Sequence, residues 1–135
     1  MALYLITIDD KYINMKAIET QIGGGHYKNM KMQPVELFAL TRCTAFQANI
    51  WKYVTRYKHK NGKEDIKKAM HYAQLALELN CDGNLDAVSK YCVATFCCAN
   101  KLSSAVSAII TYAADDRYTC VIEACKGLIA KEYPN

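Results

Sequence analysis

The chain has 135 residues, 52 % of them hydrophobic, only two prolines and a formal net charge of +4. That composition excludes a disordered or fibrous chain and suits one domain with a sizeable core. No run of about 18 apolar residues occurs, so no membrane-spanning helix is expected.

Residues 2–8, rich in Leu, Tyr, Ile and Thr, fit a short strand or the start of a helix, and a strand is expected. Asp9 and Asp10 follow at once and no basic leader precedes, so no secretory signal is expected. A weakly helical stretch covers 11–21, and Gly23-Gly24-Gly25 then breaks regular structure and forms a joint. Gln33-Pro34-Val35-Glu36 reads as a helix start, with proline in the first turn and an acid at the positive helix end. This first helix runs to about Arg42.

Thr44 suits an N-cap for a second helix over 45–58. One stripe of that helix, Phe46, Ile50, Val54 and Tyr57, is apolar and suited to packing. A second stripe holds Asn49, Lys52, Tyr53 and Arg56 at the i, i+3, i+4, i+7 spacing of one helical face. An amide, an ammonium, a phenol and a guanidinium on a shared face are suited to hold an anion.

Asn61-Gly62 makes a turn, and Glu64 and Asp65 open a third helix ending near Leu79, with Ile66, Ala69, Met70, Ala73 and Leu77 on its apolar side. Residues 80–84 end it. A fourth helix over 85–99 places Val88, Tyr91, Cys92, Thr95 and Phe96 along one side. Ser103 or Ser104 caps a fifth helix over 105–114, and Asp115 or Asp116 a sixth reaching about Lys131. The expected architecture is all-α: a small bundle of five or six helices with a short N-terminal strand. Residues 1–25 form an arm, 26–80 a nucleotide- or phosphate-binding helical core, and 84–135 helices that serve as core or oligomer interface, within one domain.

Seven cysteines, an odd count set in apolar patterns, suit reduced thiols in a cytoplasmic compartment, and Cys97-Cys98 reads as a packed core pair. Charge is uneven: residues 26–68 carry ten Lys or Arg against Glu36, Glu64 and Asp65. Such a block points to an anionic partner or to a solvated basic face. Candidate ligand groups are His26, Tyr27 and Lys28 after the glycine run, the stripe Asn49, Lys52, Tyr53 and Arg56, and Lys60, Lys63 and Lys67 around the third helix start. A helix N-terminus favours phosphate. Adjacent Glu64 and Asp65 suit either a magnesium ion or stabilisation of the helix dipole. Tyr53, on the charged stripe, is a stacking candidate, whereas Trp51 and Tyr57 belong to core or interface. No nucleic-acid-binding motif occurs, which leaves a nucleic-acid partner least favoured.

HYK-x-MxMQPVE, then NxxKYxxR, then KxGKEDxKKAxxY resembles a small phage-encoded family described as nucleotide kinase-like or of unknown function. The pattern covers 26–79. The resemblance implies an all-helical fold and a nucleotide site containing His26, Tyr27, Lys28, Asn49, Lys52, Tyr53, Arg56, Lys63, Glu64 and Asp65. Material for a phosphate cradle is present, but there is no P-loop. Capture of a nucleotide or cyclic signalling nucleotide by a homo-oligomer, countering host defence, is therefore the expectation. A magnesium-dependent deoxynucleoside monophosphate kinase without a P-loop is the alternative.

Overall fold

Local side-chain capping decides where four of the six helices begin. The computed structural model describes residues 17–19, 21 and 25–135. Among them are six α-helices, three short 3-10 turns and no strand. The strand expected at 2–8 and the first two glycines of the joint lie outside the described residues, and of the helix expected over 11–21 the described part holds a 3-10 turn, Ala17–Glu19. The chain divides into two units, Met1–Met30 and Lys31–Asn135. In the first, Tyr27–Asn29 is a 3-10 turn.

The second unit is the bundle, and all six helices belong to it: α1 (Pro34–Thr41), α2 (Ala45–Arg56), α3 (Lys63–Glu78), α4 (Ala87–Ala99), α5 (Ser104–Ala114) and α6 (Tyr118–Glu132). Gln33 and Glu36 close a capping box around α1, with Pro34 at its first position. Thr44 accepts from the Gln47 backbone N at 3.1 Å while its own N donates to Gln47 Oε1 at 3.1 Å. Two of the orphan donors of α2 are thereby satisfied. A 3-10 turn, Tyr57–His59, follows α2, and Gly62 at φ 55° starts α3. Asp86 caps α4 by accepting from Ser89 N at 2.8 Å; that bond and the Ser89 hydroxyl hold its carboxyl below the usual range. Ser103 caps α5 through Val106 N at 3.2 Å.

α3 packs between α2 and α6, α5 touches α2, α4 and α6, and α1 lies on α4 and α2. Ile50, Trp51 and Val54 of α2 are fully buried, with Ile66 of α3, Ile109 and Ile110 of α5 and Val121 of α6. Trp51 satisfies its indole N–H on the Ile110 carbonyl at 3.1 Å. Losing such a ring would cost about 3–5 kcal/mol. The stripe expected to pack α2 does so through Ile50, Val54 and Tyr57, while Phe46 is half-buried.

Three expectations are corrected. On α3, Leu77 is 44 % exposed and Ala76 takes the inner position. On α4 the inner side is Ser89, Val93, Phe96 and Cys97; Val88, Tyr91 and Thr95 face outward, as does Cys98, so the vicinal thiols are split between core and surface. All seven cysteines are free. At the start of α6, Asp116 does not cap; Arg117 is the N-cap, without a side-chain bond.

Asp116 instead ties a loop to the bundle. It sits at φ 59° and accepts from Gly83 N at 2.7 Å, Asn84 N at 2.9 Å and the Tyr118 hydroxyl at 2.9 Å. Gln47, fully buried, reaches the same carboxylate at 3.4 Å and the Ala113 carbonyl at 3.1 Å. A side chain at Gly83 would overlap the Gln47 amide. Close approach, not backbone conformation, thus requires glycine there.

Candidate functional site

The polar stripe of α2 meets α3 at a charged and aromatic patch. The antiparallel sense of the pair follows from the short turn between them, closed by Gly62 N donating to the Tyr57 carbonyl at 2.8 Å. Across that turn Arg56 grips Asp65. Its Nε and Nη2 donate to the two carboxylate oxygens, each at 3.2 Å, and Asn61 N donates to Oδ2 at 3.2 Å. The Asp65 side chain is 0 % exposed and that of Arg56 is 17 %. A two-pronged bond of this kind fixes orientation as well as distance, so it sets how the end of α2 lies against the start of α3.

One turn back along α2, Tyr53 stacks on Tyr72 of α3, with centroids 6.0 Å apart and planes 14° from parallel. Three cations gather on the Tyr53 ring: Lys52 Nζ at 4.6 Å, Arg56 Cζ at 4.6 Å and Lys68 Nζ at 5.3 Å from its centroid. Each contact contributes about 0.5–1 kcal/mol at an exposed site. His71 packs edge-on to Tyr72 at 6.4 Å. Tyr53, Tyr72, Lys52 and Lys68 are all half-buried, so the patch is open to solvent on one side. Arg56 has its charge matched by Asp65, whereas among the described residues Lys68 is paired with the exposed Glu64 alone, at 4.0 Å. The surplus positive charge of the patch therefore resides on its lysines.

The other expected residues are distributed differently. Asn49 turns its amide to its own helix, donating to the Ala45 carbonyl at 2.8 Å. Lys67 is exposed on the outer side of α3, and Lys60 is exposed in the turn. Lys63 lies apart from the patch, lining a cleft of about 360 Å³ with Lys126, Ile129, Ala130 and Tyr133. His26, Tyr27 and Lys28 belong to the unit before Lys31. There, Gln21 Oε1 accepts from the backbone N of Tyr27 at 2.6 Å and of Lys28 at 3.3 Å, and the His26 and Tyr27 rings lie 5.2 Å apart.

Glu64 and Asp65 do not converge on a shared point. The Glu64 side chain is 67 % exposed and Asp65 is enclosed, as expected for neighbours about 100° apart around a helix. Three N–H donors already occupy the Asp65 oxygens, so the pair does not fit a common magnesium ion. Among the described residues no group of three or more His, Cys, Asp or Glu comes together to hold a metal.

Lys68 and Tyr72 complete the patch and were not among the expected site residues. Their signal was readable: Asp65, Lys68 and Tyr72 follow the i, i+3, i+7 spacing that marked the stripe on α2. Trp51 and Tyr57 are core. Tyr57 donates its hydroxyl to the Glu132 carboxylate at 2.9 and 2.8 Å, and burial, reinforced by that carboxylate, pushes its phenol well above the usual range.

Residues 23–74 match a family described as a protein of unknown function, DUF3310. The whole Tyr53 patch lies inside the matched stretch, and α4, α5 and α6 lie outside it. No curated protein and no solved structure matches the chain. No helix among the described residues is long and apolar enough to cross a membrane.

Proposed function

We propose that the α2–α3 face captures a nucleotide or a cyclic signalling nucleotide, holding its phosphate by lysines and its base against tyrosine. One observation carries this: cations from two helices surround a stacked tyrosine pair that is open on one side. An aromatic face is a sequence-tolerant platform for a base, worth about 1–3 kcal/mol per stacked base. Lysine ammoniums beside it supply point charges for phosphate oxygens. Capture is favoured over phosphoryl transfer because transfer needs metal-held phosphates, and the two candidate carboxylates point apart. In the phage setting implied by the sequence motifs, a cytoplasmic homo-oligomer of this kind would withdraw a host signalling nucleotide and so blunt defence signalling.

Mass spectrometry of small molecules released from natively purified protein tests the proposal. An intact nucleotide is expected from the wild type and none from the Lys52→Ala/Lys68→Ala variant. Arg56→Ala is the wrong control, because it strips Asp65 of its counter-charge and perturbs the helix pair itself. A clean spectrum, together with no heat of binding to a panel of linear and cyclic nucleotides, would overturn capture. So would formation of diphosphate from ATP, magnesium and a nucleoside monophosphate, which would point to the kinase.

A further inference from the structure

The two stacked tyrosines of the α2–α3 patch stand in different company. Tyr53 is hemmed in from both helices. Lys52 and Arg56 of its own helix and Lys68 and Tyr72 of α3 lie 4.6, 4.6, 5.3 and 6.0 Å from its ring centroid. A cation attracted to a ring sits over one of its faces, within about 6 Å of the centroid. A stacked base needs the same space, since carbon atoms in contact lie about 3.5–4.0 Å apart. Arg56 is not free to give way, because its two 3.2 Å bonds supply the counter-charge of the enclosed Asp65. Tyr72 is placed otherwise. It is half-buried, with Tyr53 against one face and His71 at 6.4 Å, 61° from parallel. Among the described residues no cation lies over that ring and no group hydrogen-bonds its hydroxyl, so no bond within the bundle ties it to a structural task.

We infer that the pair divides the work of the site: Tyr53 holds the cations in place for phosphate, and Tyr72 presents the ring face on which the base stacks. This division rests on the α2–α3 face being a capture site for a nucleotide. The spacing along α3 supports it. Lys68 and Tyr72 are four residues apart and so share one side of the helix. One turn rises about 5.4 Å, a span that a single sugar bridges. A phosphate on Lys68 therefore carries its sugar and base along α3 toward Tyr72. Tyr53, whose nearest cations come from two helices, is the residue that keeps Lys52 and Lys68 together. Tyr53 thus acts on the ligand through the lysines and is a positioning residue, while Tyr72 touches the base itself.

Titration calorimetry separates the two tasks, using the 5′-monophosphates and 3′,5′-cyclic monophosphates of adenosine and guanosine, each set against ribose 5-phosphate. In the wild type the base should tighten binding roughly 5- to 150-fold over the sugar phosphate, the range for one stacked base. Tyr72→Leu should erase that advantage and leave the affinity for ribose 5-phosphate unchanged, whereas Tyr72→Phe should keep it. Tyr53→Leu should weaken nucleotide and sugar phosphate by the same factor, because the lysines lose the ring that holds them. A measurement without ligand tests Tyr53 by itself. The ring-current shifts of the Lys52 and Lys68 side-chain protons, read by nuclear magnetic resonance, should collapse in Tyr53→Leu and persist in Tyr53→Phe and Tyr72→Leu. A base advantage that survives Tyr72→Leu, or lysine shifts unchanged in Tyr53→Leu, would overturn the division while leaving capture standing. Failure of capture reads differently: the wild type then takes up no nucleotide at all and the role of Tyr72 falls with it, while the lysine shifts still judge Tyr53.

Discussion

Two hydrogen-bonded carboxylates, the buried Asp65 and the half-buried Asp116, organise this bundle in opposite ways. Asp65 is held by Arg56, nine residues earlier, and by the turn between α2 and α3. Besides the Tyr118 hydroxyl two residues on, Asp116 draws in Gly83, Asn84 and Gln47, 32 to 69 residues away. The first centre joins two consecutive helices and orients a surface patch that both of them line. The second pins a loop and the α5–α6 corner onto α2 and leaves no group for a ligand. The lesson is that a multiply hydrogen-bonded acid is not by itself a functional signal; its partners decide. Asp65 is enclosed beside half-buried cations and a ring pair, whereas Asp116 is surrounded by groups that need it for structure.

The contrast can be broken most forcefully at Arg56. Arg56→Ala should lower unfolding free energy by about 3–5 kcal/mol, because it leaves the Asp65 carboxylate enclosed without a counter-charge. Arg56→Met with Asp65→Leu should recover most of that loss, since an apolar pair of similar volume removes the charge altogether. Urea unfolding of the three proteins checks both outcomes. A single variant no less stable than the wild type would show that the pair contributes nothing.

Asp116→Ala should cost less, about 1–3 kcal/mol, spread over two backbone N–H groups and a hydroxyl that lose their acceptor. Its signature is local: faster amide exchange at Gly83 and Asn84, with the Tyr53–Tyr72 patch undisturbed. Propagation of faster exchange to α3 would erase the separation drawn between the two centres.

A smaller and more gradual effect is set by pH. Burial pushes the Cys125 thiol from 9.0 to about 12. Below about pH 9 it is neutral in folded and unfolded chains alike, and its contribution is fully present. Between 9 and about 12 only the unfolded chain ionises, so stability falls as pH rises, by about 1.4 kcal/mol per pH unit for a fully shifted group. Burial also raises the Tyr57 and Tyr118 phenols, each beside a carboxylate, and acts in the same direction. Melting temperature followed from pH 7 to 11 should stay level and then decline, with Cys125→Ala declining less steeply.

Much of the bundle was legible because its determinants are local. Gln33 with Glu36, Thr44 with Gln47, and Ser103 each satisfy backbone donors within three residues, so sequence spacing alone reveals them. The stripe holding Lys52, Tyr53 and Arg56 was likewise visible as a helical period. Less legible was what each stripe would meet. Asn49 shares the stripe yet bonds its own helix, and Lys63 sits near the same turn yet lines a cleft with residues of α6. Val88 and Tyr91 have the spacing of an inner face, but the bundle covers Val93 and Phe96 instead.

What the chain settles by itself is therefore which residues share a helix and which share a side of it, because those are consequences of a 3.6-residue repeat and of donors within one turn. Which side is covered, which cation keeps an uncompensated charge and which aspartate becomes a tether were decided by tertiary contact. Those outcomes depend on groups tens of residues apart meeting at hydrogen-bond distance, and no periodicity in the chain records such meetings.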